Sequence, residues 1–353
     1  MKSLLVLEDG TCFEGRPLAE SGQAIGPVVL HRAVVGYQEL MTDPANTGKI
    51  LAFTYPLIGN YGVNDKFNES DKAWASGIVM KEESEIYSNF QAKIGLEEFL
   101  KKENVAAITG VDTRTLAVKL RDEGEMLGMI SSAGLSLKEM AAKIAEFKNT
   151  KAKSALSEIS VKKITRIGGK GKTLVVIDLG VLKSFIRQLS GLGFEVILAP
   201  YDTAAKDILG LKPKAVVISS GPEEDPEISK VVDTVKGLVA KVGLLGISTG
   251  HQVIARALGA KITKMKAGHH GANYPVMSEG SLKSEITVQN HSFVVDEKSL
   301  RQKGVEIIER NLNDKTIEKM KSKKLKFVSV QYYPLSPGLG EINPLFEEFM
   351  KLM

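Results

Sequence analysis

Cys12 is the one cysteine in 353 residues, so no internal disulfide can form. It lies in LLVLEDGTCFEG, whose alternation points to strand packing and not to thiol chemistry. Long apolar runs are missing as well: nothing approaches the roughly 20 residues of a membrane span. The opening MKSLLVLEDGTCFEG breaks into charge too early for a secretory signal, which points to a cytoplasmic protein without membrane contact. No CxxC or HExxH spacing occurs, and the adjacent His269 and His270 on an extended segment would point to opposite sides, so neither a metal nor a cofactor is expected. A net charge of +5 comes from scattered lysines and one cluster, KMKSKKLKF at 319–327, which reads as a solvated loop. Without interleaved aromatics it gives no reason to expect nucleic acid. What remains is an ordinary globular composition, 43% hydrophobic and 25% charged.

The length suggests two domains. Residues 1–150 open with strand-like runs (SLLVLED, AIGPVVLHRAVVG, KILAFTY) and continue with helical spacing in GLEEFLKKEN and SLKEMAAKIAEF, a mixed α+β pattern. Residues 151–172 are rich in Lys, Ser and Gly and read as a linker; GGKGK within them precedes its strand and lacks the helix start of a phosphate loop. From residue 173 to 353 strands and helices alternate: TLVVIDLG, VLKSFIRQLSGLG, FEVILAP, AAKDILGL, KAVVISSG, ISKVVDTVKGLVAK, VGLLGIS. That order predicts an α/β domain with a parallel sheet covered on both faces. Ligands in such sheets bind at the carboxyl ends of strands, where both SSGPEEDP and ISTGHQ fall.

ISTGHQ has the form of a nucleophile elbow, a tight strand-to-helix turn that would lift Ser248 toward a substrate. GISTG also matches the G-x-S-x-G hydrolase pattern, so a serine hydrolase is one reading, provided a base lies within reach of Ser248.

Several motifs share one order. SSGPEEDP, GISTGHQ, KMKAGHHGANYPV, TVQNHSFVVD and SVQYYPLSPG resemble the class I glutamine amidotransferase domain of the carbamoyl phosphate synthetase small subunit. LLVLEDGTCFEG, VGYQELMTDP, AFTYPLIGNYGVN and GVDTRTLAVKLR resemble that subunit's N-terminal domain. The resemblance implies a subunit that releases ammonia from glutamine for a large subunit, which makes carbamoyl phosphate for pyrimidine and arginine biosynthesis. It also implies an elbow cysteine, a histidine base and a glutamate that orients the histidine.

At these positions the chain carries Ser248, Tyr333 and Leu335. A phenol, with an ordinary pKa near 10, is a poor base at neutral pH. The resemblance further places Ala45, Gly221, Glu223, Thr249, Gln252, Asn290, Ser292 and Phe293 around the glutamine pocket. Ala45 stands for a serine, Ser292 for a glycine, and SGPEEDP is one residue longer than the family's loop, with Glu223 and Glu224 where a close-approach glycine sits. Glutamine binding is therefore doubtful. His251, His269, His270 and His291 have structural counterparts in the family, which argues against their service as a base for Ser248. Three readings stand at this point: a non-catalytic partner of the large subunit, a serine hydrolase, and a pocket repurposed for a new ligand.

Overall fold

The computed structural model describes residues 2–18, 22–281, 283–338 and 340–351. The chain forms two compact units, Met1–Lys151 with Lys266–Gly271, and Ala152–Met265 with Ala272–Met353.

In the first unit the strands are β1 (Ser3–Leu7), β2 (Cys12–Leu18), β3 (Gln23–His31), β4 (Ile50–Phe53), β5 (Leu57–Ile58), β6 (Gly77–Val79), β7 (Glu82–Glu83), β8 (Ala106–Thr109) and β9 (Met126–Ser131). Seven of them close into a barrel in the order β1-β2-β8-β6-β4-β3-β9. Strand periodicity sorts their side chains between two cores. Leu5, Leu7, Val28, Ile50, Ala52, Val79, Ala106, Ile108 and Ile130 cluster with Leu116 and Leu120 of the helix Thr113–Glu123. The intervening Val29, Leu51, Phe53, Ile78 and Ala107 pack with Phe99 and Leu100 of the helix Leu96–Glu103. The expected mixture of strands and helices is present, now organised as a barrel with helical cover.

The strands of the second unit are β10 (Thr165–Gly168), β11 (Thr173–Asp178), β12 (Glu195–Pro200), β13 (Ala215–Ile218), β14 (Gly243–Ile247), β15 (Ile262–Ser278, of which Lys266–Gly271 belongs to the first unit), β16 (Ser284–Val295), β17 (Glu306–Asn311), β18 (Ile317–Ser322) and β19 (Phe327–Val330). They form one sheet in the order β10-β12-β11-β13-β14-β19-β18-β17-β15-β16. From β12 to β19 the pairing is parallel. Val175, Ile177, Val216, Ile218 and Leu244 face one core with the helices Ile228–Leu238 and Thr249–Ala257. Leu174, Val176, Val217, Leu245 and Ile247 face the other with Lys183–Gly191 and Pro344–Met350. Burial on both faces is why these strands read as unbroken apolar runs.

Two expectations need correction. Of the stretch 151–172, residues 152–172 are built into the second unit: they hold a short helix, Leu156–Ile159, and the edge strand β10, antiparallel to β12. Leu156 is fully buried and Asp225 accepts from its backbone N–H at 3.0 Å. β10 is mostly exposed, so it carries no apolar signature. The cluster at 319–327 is no free loop, since it spans the β18–β19 hairpin. Lys319 is buried there between Glu348 at 2.7 Å and Glu309 at 3.4 Å. No helix among the described residues is long and apolar enough to cross a membrane.

Gly250 decides how closely its helix approaches the sheet, because a Cβ at this position would stand 2.1 Å from the Ile218 carbonyl oxygen of β13. Alanine ordinarily gains about 1 kcal/mol over glycine inside a helix. Overpacking against immobile backbone outweighs that, so Gly250→Ala is expected to destabilise the second unit by about 2–3 kcal/mol in urea unfolding.

Two histidines set an acid limit. Burial holds His31, in the first unit, well below its ordinary pKa, with His270 adding to the effect. Burial pulls His251, in the second unit, down to about 3. Both are neutral when folded and gain a proton on unfolding below about pH 6.5, so stability falls as the pH drops. Urea titrations between pH 6.5 and 5 should show a loss of about 1 kcal/mol per pH unit in each unit, steepening toward the lower pH, and His31→Leu should flatten the slope of the first unit alone.

Candidate functional site

β14 ends at Ile247 and the next helix begins at Thr249, leaving Ser248 to make the turn. Its φ of 52° and ψ of −108° lie in a region that costs a non-glycine residue about 1–3 kcal/mol. Three backbone hydrogen bonds hold it there. Ser248 N–H donates to the Val330 carbonyl at 2.8 Å, and the Ser248 carbonyl accepts from His251 and Gln252 N–H at 2.9 and 3.2 Å. This is elbow geometry, with a buried serine at its apex.

The side chain one residue on ties the elbow to the SGPEEDP loop: Thr249 Oγ1 donates to the Gly221 carbonyl at 2.5 Å. A Cβ on Gly221 would lie 2.0 Å from the Leu179 carbonyl oxygen, so backbone packing alone demands glycine at this position. Past it, Asp225 anchors the loop's far end. Its carboxylate accepts from Ser154 Oγ at 2.8 Å, Leu156 N–H at 3.0 Å and Glu227 N–H at 2.8 Å.

Glu223 lies between those anchors and points at three donors. Oε1 accepts from Gln252 Nε2 at 2.6 Å and Phe293 N–H at 3.2 Å, while Oε2 accepts from Ser292 N–H at 2.7 Å. Gln252 Nε2 also reaches the Phe293 carbonyl at 3.1 Å and Gln331 Oε1 at 3.4 Å. One amide thus joins the loop, β16 and the end of β19. Converging N–H groups favour an anion and oppose a cation.

Tyr333 and Leu335 pack into a core. Tyr333 N–H donates to the Val288 carbonyl of β16 at 2.9 Å. Its ring meets Phe185 edge-on, with centroids 5.8 Å apart, inside the core that includes Leu182, Leu245 and Val330. Leu335 packs against the same core. His251 Nδ1 pairs with Ser329 Oγ at 2.9 Å, and the two ring nitrogens of His291 meet the Phe293 carbonyl at 3.0 Å and Gln289 Oε1 at 3.1 Å. No described residue hydrogen-bonds Ser248 Oγ.

Of the residues singled out from sequence, Gly221, Glu223, Ser248, Thr249, Gln252, Ser292 and Phe293 form this connected network. Asn290 is buried on β16 beside them in sequence. Ala45 is buried in the first unit, in a turn capped by Asp43, whose Oδ1 accepts from Ala45 N–H at 2.9 Å. Gln331 and Asp225 had not been anticipated as parts of the network, although the Asp-Pro that closes SGPEEDP signals a turn anchor. Cys12 lies in β2 with burial raising its thiol pKa, which keeps it protonated and inert.

Comparison with known proteins agrees with this architecture. The carbamoyl-phosphate synthase small chain, CPSase domain, matches residues 5–130, and glutamine amidotransferase class-I matches residues 175–352. A carbamoyl phosphate synthase small chain from Clostridium acetobutylicum is 38% identical over 353 residues, covering 100% of both chains. That of Listeria innocua is 37% identical, covering 100% of this chain and 97% of its own. The pyrimidine-specific small chain of Bacillus subtilis is 36% identical, with 100% and 96% covered. With an elbow, a barrel unit and end-to-end identity of this extent, the chain belongs to the carbamoyl phosphate synthase small-chain family.

Proposed function

We propose that this chain is a small subunit of carbamoyl phosphate synthase that has lost glutamine hydrolysis and acts by associating with the large subunit. Tyr333 carries this reading: at the position of the family's base, its ring is buried edge-on against Phe185 in an apolar core. A hydroxyl nucleophile needs a base to take its proton. Among the described residues Ser248 Oγ has no hydrogen-bonded partner, and His251, pulled down to about 3 by burial, is a weak base. Serine hydrolysis therefore draws no support from this geometry.

Association draws support from the first unit. Phe90 and Ile86 are 94% and 83% exposed, and Val34 and Val35 are 53% and 60% exposed. Both stretches hang on one turn, Asn60–Gly62. Tyr61 Oη accepts from Gly36 and Tyr37 N–H at 2.6 and 3.2 Å, its ring stacks on Tyr37 at 4.2 Å, and the Asn60 carbonyl accepts from Ser88 N–H at 3.0 Å. Large apolar side chains left exposed on stretches tied to one turn support an interaction surface.

The purified chain should release no ammonia from glutamine above background, and Ser248→Cys should not restore release, because losing triad members costs on the order of 10⁴–10⁶ in kcat. Mixed with a large subunit, it should elute as a complex and support carbamoyl phosphate synthesis from ammonium but not from glutamine. Phe90→Asp should weaken that complex about 30-fold without shifting the unfolding midpoint. Glutamine hydrolysis abolished by Ser248→Ala, or absence of a complex, would overturn this assignment.

A further inference from the structure

We propose that Glu223 is an internal ligand: its carboxylate permanently fills a carboxylate-recognition site made by Ser292 N–H, Phe293 N–H and the Gln252 side-chain amide. The proposal deepens the preceding reading and rests on it for the identity of the pocket.

The donor set is specific in shape. Two consecutive main-chain N–H groups of β16 take one oxygen each, at 2.7 and 3.2 Å, and Gln252 adds a third bond at 2.6 Å to the second oxygen. This fork matches the bite of a planar carboxylate. Carboxylates leave water at large cost unless their oxygens are satisfied, and three charge-assisted bonds supply that. Ser292 is buried, so without Glu223 its N–H would need another acceptor, whereas Gln252 Nε2 keeps the Phe293 carbonyl and Gln331 Oε1 within reach.

The plug is constitutive. Gly221 is fixed to the elbow through Thr249 Oγ1, and Asp225 is fixed by Ser154, Leu156 and Glu227. Glu223 sits between these two anchored points, which hold its backbone beside the donors. Beside it, Lys264 lies 3.6 Å from Glu224 and 5.6 Å from the centre of the Phe293 ring, which keeps a positive charge near the same donors. A small monocarboxylate, amino acids among them, is the ligand class that the site would take once Glu223 is shortened.

The test compares the full-length protein with Glu223→Ala and Glu223→Gln, using sodium acetate, glutamate and glutamine as probes against sodium chloride at equal ionic strength. Glu223→Ala should lower the urea midpoint, and acetate should restore it with an apparent Kd of about 1–10 mM, the range open to a four-heavy-atom ligand. Chloride should not, and the wild type should bind none of the probes in calorimetry. Glu223→Gln keeps the volume and should exclude acetate, while amide hydrogen exchange at Ser292 quickens at least tenfold. Should the alanine variant fail to fold, this exchange measurement decides the matter. An alanine variant as stable as the wild type, equal acetate protection of both, or unchanged exchange in Glu223→Gln would overturn the proposal. Each of those failures leaves the loss of glutamine hydrolysis standing, since none measures ammonia release.

Discussion

The helix Thr249–Ala257 meets β13 at a point where there is no room for a Cβ, and the rest of the second unit's site hangs from that contact. Gly250 allows it by leaving space for the Ile218 carbonyl. Because the helix begins so close to the strand ends, the chain must turn within one residue, which forces Ser248 to a φ of 52°. The same placement brings Thr249 to Gly221 and, one turn later, puts Gln252 at the junction of loop, β16 and β19. The strain at Ser248, about 1–3 kcal/mol, is small beside the burial of Val253 and Ile254, each worth about 1.5–3 kcal/mol. Packing wins, and the elbow persists whatever atom it presents.

Chemistry and architecture are therefore separable in this fold. Tyr333 and Leu335, at positions where the family resemblance places polar catalytic groups, join an apolar core with Phe185, Leu182 and Leu245. An aromatic ring buried edge-on adds contact area and, in this geometry, about 0.5–1.5 kcal/mol beyond its area. Packing of this kind stabilises the sheet's end.

The parallel sheet was legible because burial on both faces leaves runs such as TLVVID and GLLGI with no polar interruption. The elbow was legible because its two glycines answer to backbone collisions that only glycine avoids. Barrel closure in the first unit was not, since it depends on pairings such as Arg16 with Thr109 and Leu4 with Ser131, and local periodicity carries no record of distant partners. β10 escaped notice because an exposed edge strand has no core face to declare it. Glu223, together with Glu224, was visible as a side chain where the resemblance places glycine. Its partners were not, because two of the three donors are main-chain groups, identical in every residue but proline.

Under the proposed loss of glutamine hydrolysis, the place of Glu223 has an energetic reason. A site that binds and releases an external carboxylate must leave its N–H donors to water between turnovers, and a buried donor without an acceptor costs about 1–3 kcal/mol. An enzyme tolerates that because turnover requires it. If glutamine hydrolysis is lost as proposed, nothing requires the donors of β16 to stay vacant, and an acidic side chain on an anchored loop satisfies them at the entropic cost of ordering one glutamate, up to about 2 kcal/mol. Three charge-assisted hydrogen bonds outweigh that ordering. The second unit thus holds, as part of its own fold, an anion that its donors would otherwise have to obtain from solution.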